Sequence, residues 1–183
     1  TGIERERSEE LCSSARKILH IEIETADIIL EKRNKVARIT TGSKALDKMF
    51  SNGVETQAIT ELVGEFGCAK TQLCHTLAVM AQLPVEKKGL GSCSILYIDT
   101  EGTFRPERIQ DIAKANGLDP NDILPNIYVA ATYSSDHLDA IIAESFRLVP
   151  EKNIRVIIVD SIVGRFRPEY IGRESLAERQ QKL

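Results

Sequence analysis

The strongest chemical signal in the chain is Gly64-Glu65-Phe66-Gly67-Cys68-Ala69-Lys70-Thr71. It follows the phosphate-loop pattern G-x-x-x-x-G-K-[ST], with Ala69 at the second glycine position. A loop of this kind, placed between a strand and a helix, aims successive backbone N–H groups at phosphate oxygens. The helix N-terminus adds its partial positive charge. Lys70 then reaches the terminal phosphates, and the Thr71 hydroxyl is placed to ligate Mg2+. The competing reading is a chance Gly–Lys–Thr turn. Ala69 costs on the order of 1 kcal/mol if its φ must be positive, and little if its angles are near-helical.

Two acidic groups sit at similar places further on. Ile98-Asp99-Thr100-Glu101-Gly102 ends an apolar run, so Glu101 either polarises a water for attack on a phosphate or belongs to an acidic turn closed by Gly102. Ile154 to Val159 is a second apolar run, and it delivers Asp160 at its end. That carboxylate is placed to hold Mg2+ directly or through water. Together the three positions make a phosphate cradle, a base and a metal carboxylate.

These groups converge only if the right elements carry them. Ala58–Val63, Ser94–Ile98, Asn126–Ala131 and Arg155–Val159 read as strands, the last buried on both faces. Thr71–Leu83, Pro106–Asn116 and Ser135–Val149 read as helices. Pro106 opens one and Gly117 stops it; Ser135 or Asp136 caps another. Earlier, Glu4 to His20 reads as an amphipathic helix, Ile21 to Arg33 as a linker, and Ser43–Phe50 as a short helix capped by Ser43. A further helix begins at Ser175. Apolar strands alternating with helices predict an α/β fold with a mostly parallel sheet and helices on both faces. Ligands then bind at the carboxyl ends of the strands.

Composition narrows the function classes. The 183 residues are 42% hydrophobic and 28% charged, with a net charge of -3. That excludes a disordered tail. No apolar run approaches the roughly 18 residues a spanning helix needs, so no membrane partner is expected. Gly164 to Leu183 carries five basic and three acidic residues, while the remainder is net acidic. Binding to an anionic polymer would therefore be local to that segment. The four cysteines (Cys12, Cys68, Cys74, Cys93) form no CxxC pair, and the three histidines (His20, His75, His137) are scattered. No zinc site is expected, and the thiols read as free.

The longer motifs resemble a known family. Thr41–Asp47, Gly53–Glu61, Gly64–Gly67, Asp99–Arg108 and Asp160-Ser161 with Phe166–Arg173 and Ala177–Leu183 are similar to the RadA-type recombinases of archaea and their eukaryotic relatives. The resemblance implies a RecA-like ATPase that uses ATP and Mg2+. It implies a helical filament on single-stranded DNA and strand exchange with a homologous duplex. By position, Gly64, Phe66, Gly67, Cys68, Ala69, Lys70, Thr71 and Gln72 would contact the nucleotide, with Arg108 against the adenine. Lys70 and Glu101 would be catalytic, Thr71 and Asp160 would hold Mg2+, and Arg167 and Arg173 would bind DNA. Ile23 and Ala26 match a polymerisation segment, Ile23 standing where the family has an aromatic anchor; its receiving surface would lie near Leu96, Tyr97 and Ala130.

The resemblance also implies a domain plan. Residues 1–20 would end a helix-hairpin-helix domain, 21–35 would be the polymerisation linker, and 36–183 the ATPase core without its C-terminal part. Recombination mediators are expected partners. The expected location is cytoplasmic and nucleoid-associated in an archaeon, nuclear in a eukaryote. The alternative is a nucleotide-binding paralogue that scaffolds a filament without exchanging strands, motivated by Ala69 and Ile23. A hexameric helicase on the same core fits the phosphate loop but not the flanking signatures.

Overall fold

The computed structural model describes Arg7 and residues 23–164. Most of the predicted Glu4–His20 helix, the helix from Ser175, and Arg167 and Arg173 lie outside them. The chain divides into two compact units, Thr1–Val36 and Ala37–Leu183.

In the first unit the described residues form helix α1 (Ala26–Asn34), where the sequence reads as a linker. The segment contains no Gly or Pro, and its charges suit a helix. Asp27 lies in the first turn, and Lys32 and Arg33 lie in the last. Lys32 Nζ also pairs with Glu24 Oε1 at 2.5 Å. No residue of α1 is buried. Its apolar members Ile28, Ile29 and Leu30 are all substantially exposed.

The second unit opens with a small strap. β1 (Arg38–Ile39) pairs antiparallel with β2 (Val54–Glu55). Between them runs α2 (Lys44–Met49), with the Ser43 side chain accepting from the Leu46 N–H as foreseen. Asp47 ties the strap together. It accepts from Thr40 Oγ1 at 2.6 Å, and from Thr41 N and Oγ1, each at 2.7 Å.

The main sheet is built from β3 (Ser94–Asp99), β4 (Ile127–Ala131) and β5 (Ile154–Asp160). Their order is β4-β3-β5, all parallel. Helix α3 (Lys70–Met80) leads into β3, α4 (Pro106–Ala115) and α5 (Pro120–Ile123) connect β3 to β4, and α6 (Ser135–Glu151) connects β4 to β5. β3 is buried along its whole length, and its alternating side chains serve two cores. Ile95 and Tyr97 pack with Val79, Ile109 and Ala113 of α3 and α4. Leu96 and Ile98 pack with Leu138 of α6. The result is the expected layered α/β architecture. Tyr97 therefore lies on the opposite face from Leu96 and Ala130, and the three do not make one surface. Among the described residues no helix is long and apolar enough to cross a membrane.

Three further expectations need correction. Ala58–Val63 is not a strand; residues 59–65 have no regular structure, and Ile59 and Val63 are 101% and 84% exposed. An apolar run needs a hydrogen-bonded neighbour to hold it as a strand. Among the described residues none pairs with it, because the sheet ends at β5. β5 is likewise not buried on both faces; as an edge strand it leaves Arg155 exposed and Ile157 45% exposed. Finally, α6 is capped by Ser134, whose Oγ accepts from the His137 N–H at 3.1 Å. Ser135 is instead the first helical residue and is buried. The helix also runs on through Pro150 to Glu151. The start and stop of α4 hold as read, with Pro106 in the first turn and Gly117 at φ 70° beyond the Asn116 cap.

Truncating the α6 side of the core should be costly. Leu138 is 1% exposed, so Leu138→Ala should lower unfolding stability by about 2–5 kcal/mol. Ile157→Ala at the half-open edge should cost under about 1.5 kcal/mol. Chemical denaturation of the two variants checks the contrast.

Candidate active site

The loop before α3 is shaped by two left-handed residues. Gly67 has φ 79°, and Ala69, which caps α3, has φ 68° and ψ 22°. The structure thus selects the costlier alternative for Ala69: its Cβ is strained there by about 1–2 kcal/mol. Gly64 leaves room for the Cys68 thiol, which would have to turn away from any larger residue. A Cβ on Gly64 would lie 2.5 Å from Cys68 Sγ.

Lys70 curls back over this loop. Its Nζ donates to the Gly64 and Glu65 carbonyls, each at 2.9 Å, and to Cys68 Sγ at 3.5 Å. Thr71 follows in the first turn of α3. Gln72 Oε1 accepts from Arg108 Nε at 2.6 Å, so α3 and α4 bring those two predicted nucleotide contacts together. Phe66 is 91% exposed on the loop.

The end of β3 is organised by Asp99. Its Oδ1 accepts from the N–H groups of Glu101 (3.2 Å), Gly102 (2.8 Å) and Thr103 (3.1 Å). Oδ2 accepts from Phe104 N–H at 2.9 Å. Burial alone would raise the pKa of this carboxyl. The ring of N–H donors outweighs burial and holds it below the ordinary carboxylate range. The turn so formed presents Glu101, whose Oε1 accepts from Ser161 Oγ at 2.8 Å. Thr100 Oγ1 reinforces that link. It donates to the Ser161 carbonyl at 2.7 Å and accepts from Ser161 N–H at 2.9 Å.

Asp160 ends β5 directly beside Asp99 in the sheet register. It is 7% exposed, and its Oδ2 accepts from the Tyr97 hydroxyl at 2.9 Å. Burial and the neighbouring Asp160 push the Tyr97 phenol up, so it stays a proton donor. Between α3 and the Asp99 turn lies His75, 1% exposed. Its Nδ1 is 2.9 Å from the Thr71 carbonyl, and its Nε2 accepts from Arg105 N–H at 3.4 Å. Burial pushes its pKa down, which favours the neutral ring.

The second unit thus brings Gln72 to Arg108 and Glu101 to Ser161, the residue after Asp160, while the Lys70 ammonium bonds within its own loop. Ile23, 99% exposed, and Ala26, also exposed, belong to the first unit. Sequence reasoning missed Asp99, Tyr97 and His75. Each left a trace: an Asp before Thr-Glu-Gly-Thr is a side-chain-capped turn, Tyr97 shares a strand face with Asp99, and His75 is one helical turn past Thr71. Among the described residues no group of three or more His, Cys, Asp or Glu could hold a metal ion. The oxygen donors of Thr71 and Asp160 suit a hard cation that arrives with a phosphate ligand rather than one held in an all-protein cage.

The profile of the Rad51 family matches residues 32–183. The chain belongs to the Rad51 family. It is 47% identical over 186 residues to the DNA repair and recombination protein RadA of Ignicoccus hospitalis, covering 100% of this chain and 57% of that protein. It is 54% identical over 155 residues to the protein of the same name from Cenarchaeum symbiosum, covering 85% of this chain and 39% of that one. This Rad51-family chain therefore spans about half the length of the curated relatives it matches.

Two measurements check the site's internal energetics. Ala69→Gly should stabilise the chain by about 0.5–1 kcal/mol, because relief of the left-handed Cβ exceeds the added chain entropy. Thermal or urea unfolding reads this. Asp99 has a depressed folded pKa. Its stabilising effect is complete above the unfolded value of about 3.9 and fades as pH falls through the folded value. Asp99→Asn should be less stable at pH 7 and should lose part of the wild-type stability fall on acidification below about pH 4.

Proposed function

We propose that this chain is the nucleotide-binding part of an ATP-dependent DNA recombinase, which hydrolyses ATP in a filament on single-stranded DNA and exchanges strands with a homologous duplex. Family membership and the name carried by both relatives support the recombinase reading. The observation that carries the chemistry is the hydrogen-bonded chain from Glu101 through Ser161 and Thr100 to the two acidic strand ends, beside a loop topped by Lys70.

In this reading the loop N–H groups and Lys70 bind the β- and γ-phosphates of ATP. To do so Lys70 exchanges its present carbonyl partners for phosphate oxygens. Thr71 and Asp160 hold Mg2+, which neutralises charge on the phosphates when bound. Tyr97 orients the Asp160 carboxylate. Glu101 accepts the proton of the attacking water, and Ser161 fixes one of its oxygens so that the other is free for that proton. Gln72 and Arg108 form the wall on which the base rests.

The DNA-binding role of Arg167 and Arg173 rests on the basic balance of their segment. Cations spaced along a loop neutralise phosphates without reading bases. That suits a protein that must accept any sequence. Self-association would use Ile23 and Ala26, which stand exposed at and before the start of α1. Recombination mediators would dock on the resulting filament.

In the full-length protein, ATP turnover should rise with single-stranded DNA. Glu101→Gln should cut it by at least about 100-fold while leaving ATP binding near normal. A wild-type protein with no DNA-stimulated turnover would overturn the reading. Ile23→Glu should convert filaments to small species in electron micrographs and light scattering, because a charge cannot enter an apolar pocket unpaired.

A further inference from the structure

We infer that His75 is the positioning residue through which the phosphate loop and the two acidic strand ends sense one another; this rests on the nucleotide-hydrolysing reading above. The Thr71 carbonyl can only accept, so Nδ1 carries the proton and donates to it at 2.9 Å. Nε2 is then the acceptor for Arg105 N–H at 3.4 Å. The neighbours on both edges thus select one neutral tautomer. The ring is also packed by its faces. Its centroid lies 5.4 Å from that of Tyr97, at 25°, and 5.3 Å from that of Phe104, at 36°. Tyr97 and Phe104 touch each other at 4.8 Å.

Every one of these four neighbours is a short step from a reacting group. Thr71 adjoins Lys70 in the first turn of α3. Phe104 and Arg105 end the turn that Asp99 holds and that carries Glu101. Tyr97 donates to Asp160. A buried residue that only filled space would be apolar. His75 instead spends both ring nitrogens on main-chain groups of two different elements, in a packed interior that transmits displacement. When phosphate draws the first turn of α3 toward it, the Thr71 carbonyl moves, and the ring carries that shift to the Glu101 turn. Nucleotide occupancy and the placement of the base are thereby linked, and by reciprocity the base turn affects nucleotide affinity.

The test uses the full-length protein, Mg2+ and a slowly hydrolysed ATP analogue. His75→Phe keeps a stacked ring but loses both hydrogen bonds. His75→Gln supplies one donor and one acceptor again. Amide hydrogen exchange of residues 101–105 reads the coupling without any turnover. In the wild type, analogue binding should slow exchange there. In His75→Phe the analogue should still bind, but the protection should vanish. Steady-state ATP turnover by His75→Phe should fall about 10- to 100-fold in kcat with KM changed less than about 3-fold, and His75→Gln should recover most of it.

Protection of residues 101–105 that persists in His75→Phe overturns the inference. So does a loss in kcat that His75→Gln fails to restore and that follows a fall in melting temperature. Glu101→Gln serves as the separate control. If it retains turnover, the assignment of the base is wrong, whereas the exchange result still decides the coupling.

Discussion

A single carboxylate, Asp99, shapes the chain that leaves β3. Four successive N–H groups from Glu101 to Phe104 converge on it, so the chain after β3 cannot extend and must wrap around its own last side chain. Backbone donors aimed at one anion make a stiff turn, because breaking it strands several polar groups at once. That stiffness aims Glu101 toward β5, sets Phe104 against the aromatic packing of His75 and Tyr97, and brings Arg105 N–H within reach of His75. Removing Asp99 would loosen the turn from Glu101 to Phe104.

The turn matters because β3 delivers it to one place. A strand covered on both faces has no freedom to slide, since a one-residue slip would exchange its two hydrophobic sets. Ile95 and Tyr97 on one side and Leu96 and Ile98 on the other fix the register with β4 and β5. In that register Asp99 and Asp160 stand side by side. Two like charges so close are tolerable because each is individually bonded: Asp99 by its N–H groups and Asp160 by the Tyr97 hydroxyl.

The parts of this arrangement that depend on local pattern could be read from the residues. Continuous apolar runs, Pro106 and Gly117 at the ends of α4, the Ser43 cap and the Gly64–Thr71 loop are all short-range signals. What escaped depends on distant partners. Whether Ala58–Val63 is a strand depends on a neighbour to pair with, which its own composition cannot reveal. The exposure of Ile157 depends on β5 lying at an edge. The angles of Ala69 follow from the geometry of the loop and not from the preference of alanine, which is why both alternatives were open. Tyr97 and His75 look like an aromatic and a stray histidine until the fold brings them to Asp160 and to Arg105.

The unpaired run from Ala58 to Val63 has a colloidal consequence. It is apolar and free of proline, it carries the single charge of Glu61, and its Ile59 and Val63 side chains stand in water. Among the described residues β5 is an edge strand, with Arg155 and Asp160 its charged members. Among the described residues this strand edge and this apolar ribbon have no pairing partner, and such surfaces are complementary across molecules. Solubility of this unit therefore depends on what shields those two surfaces as well as on its net charge.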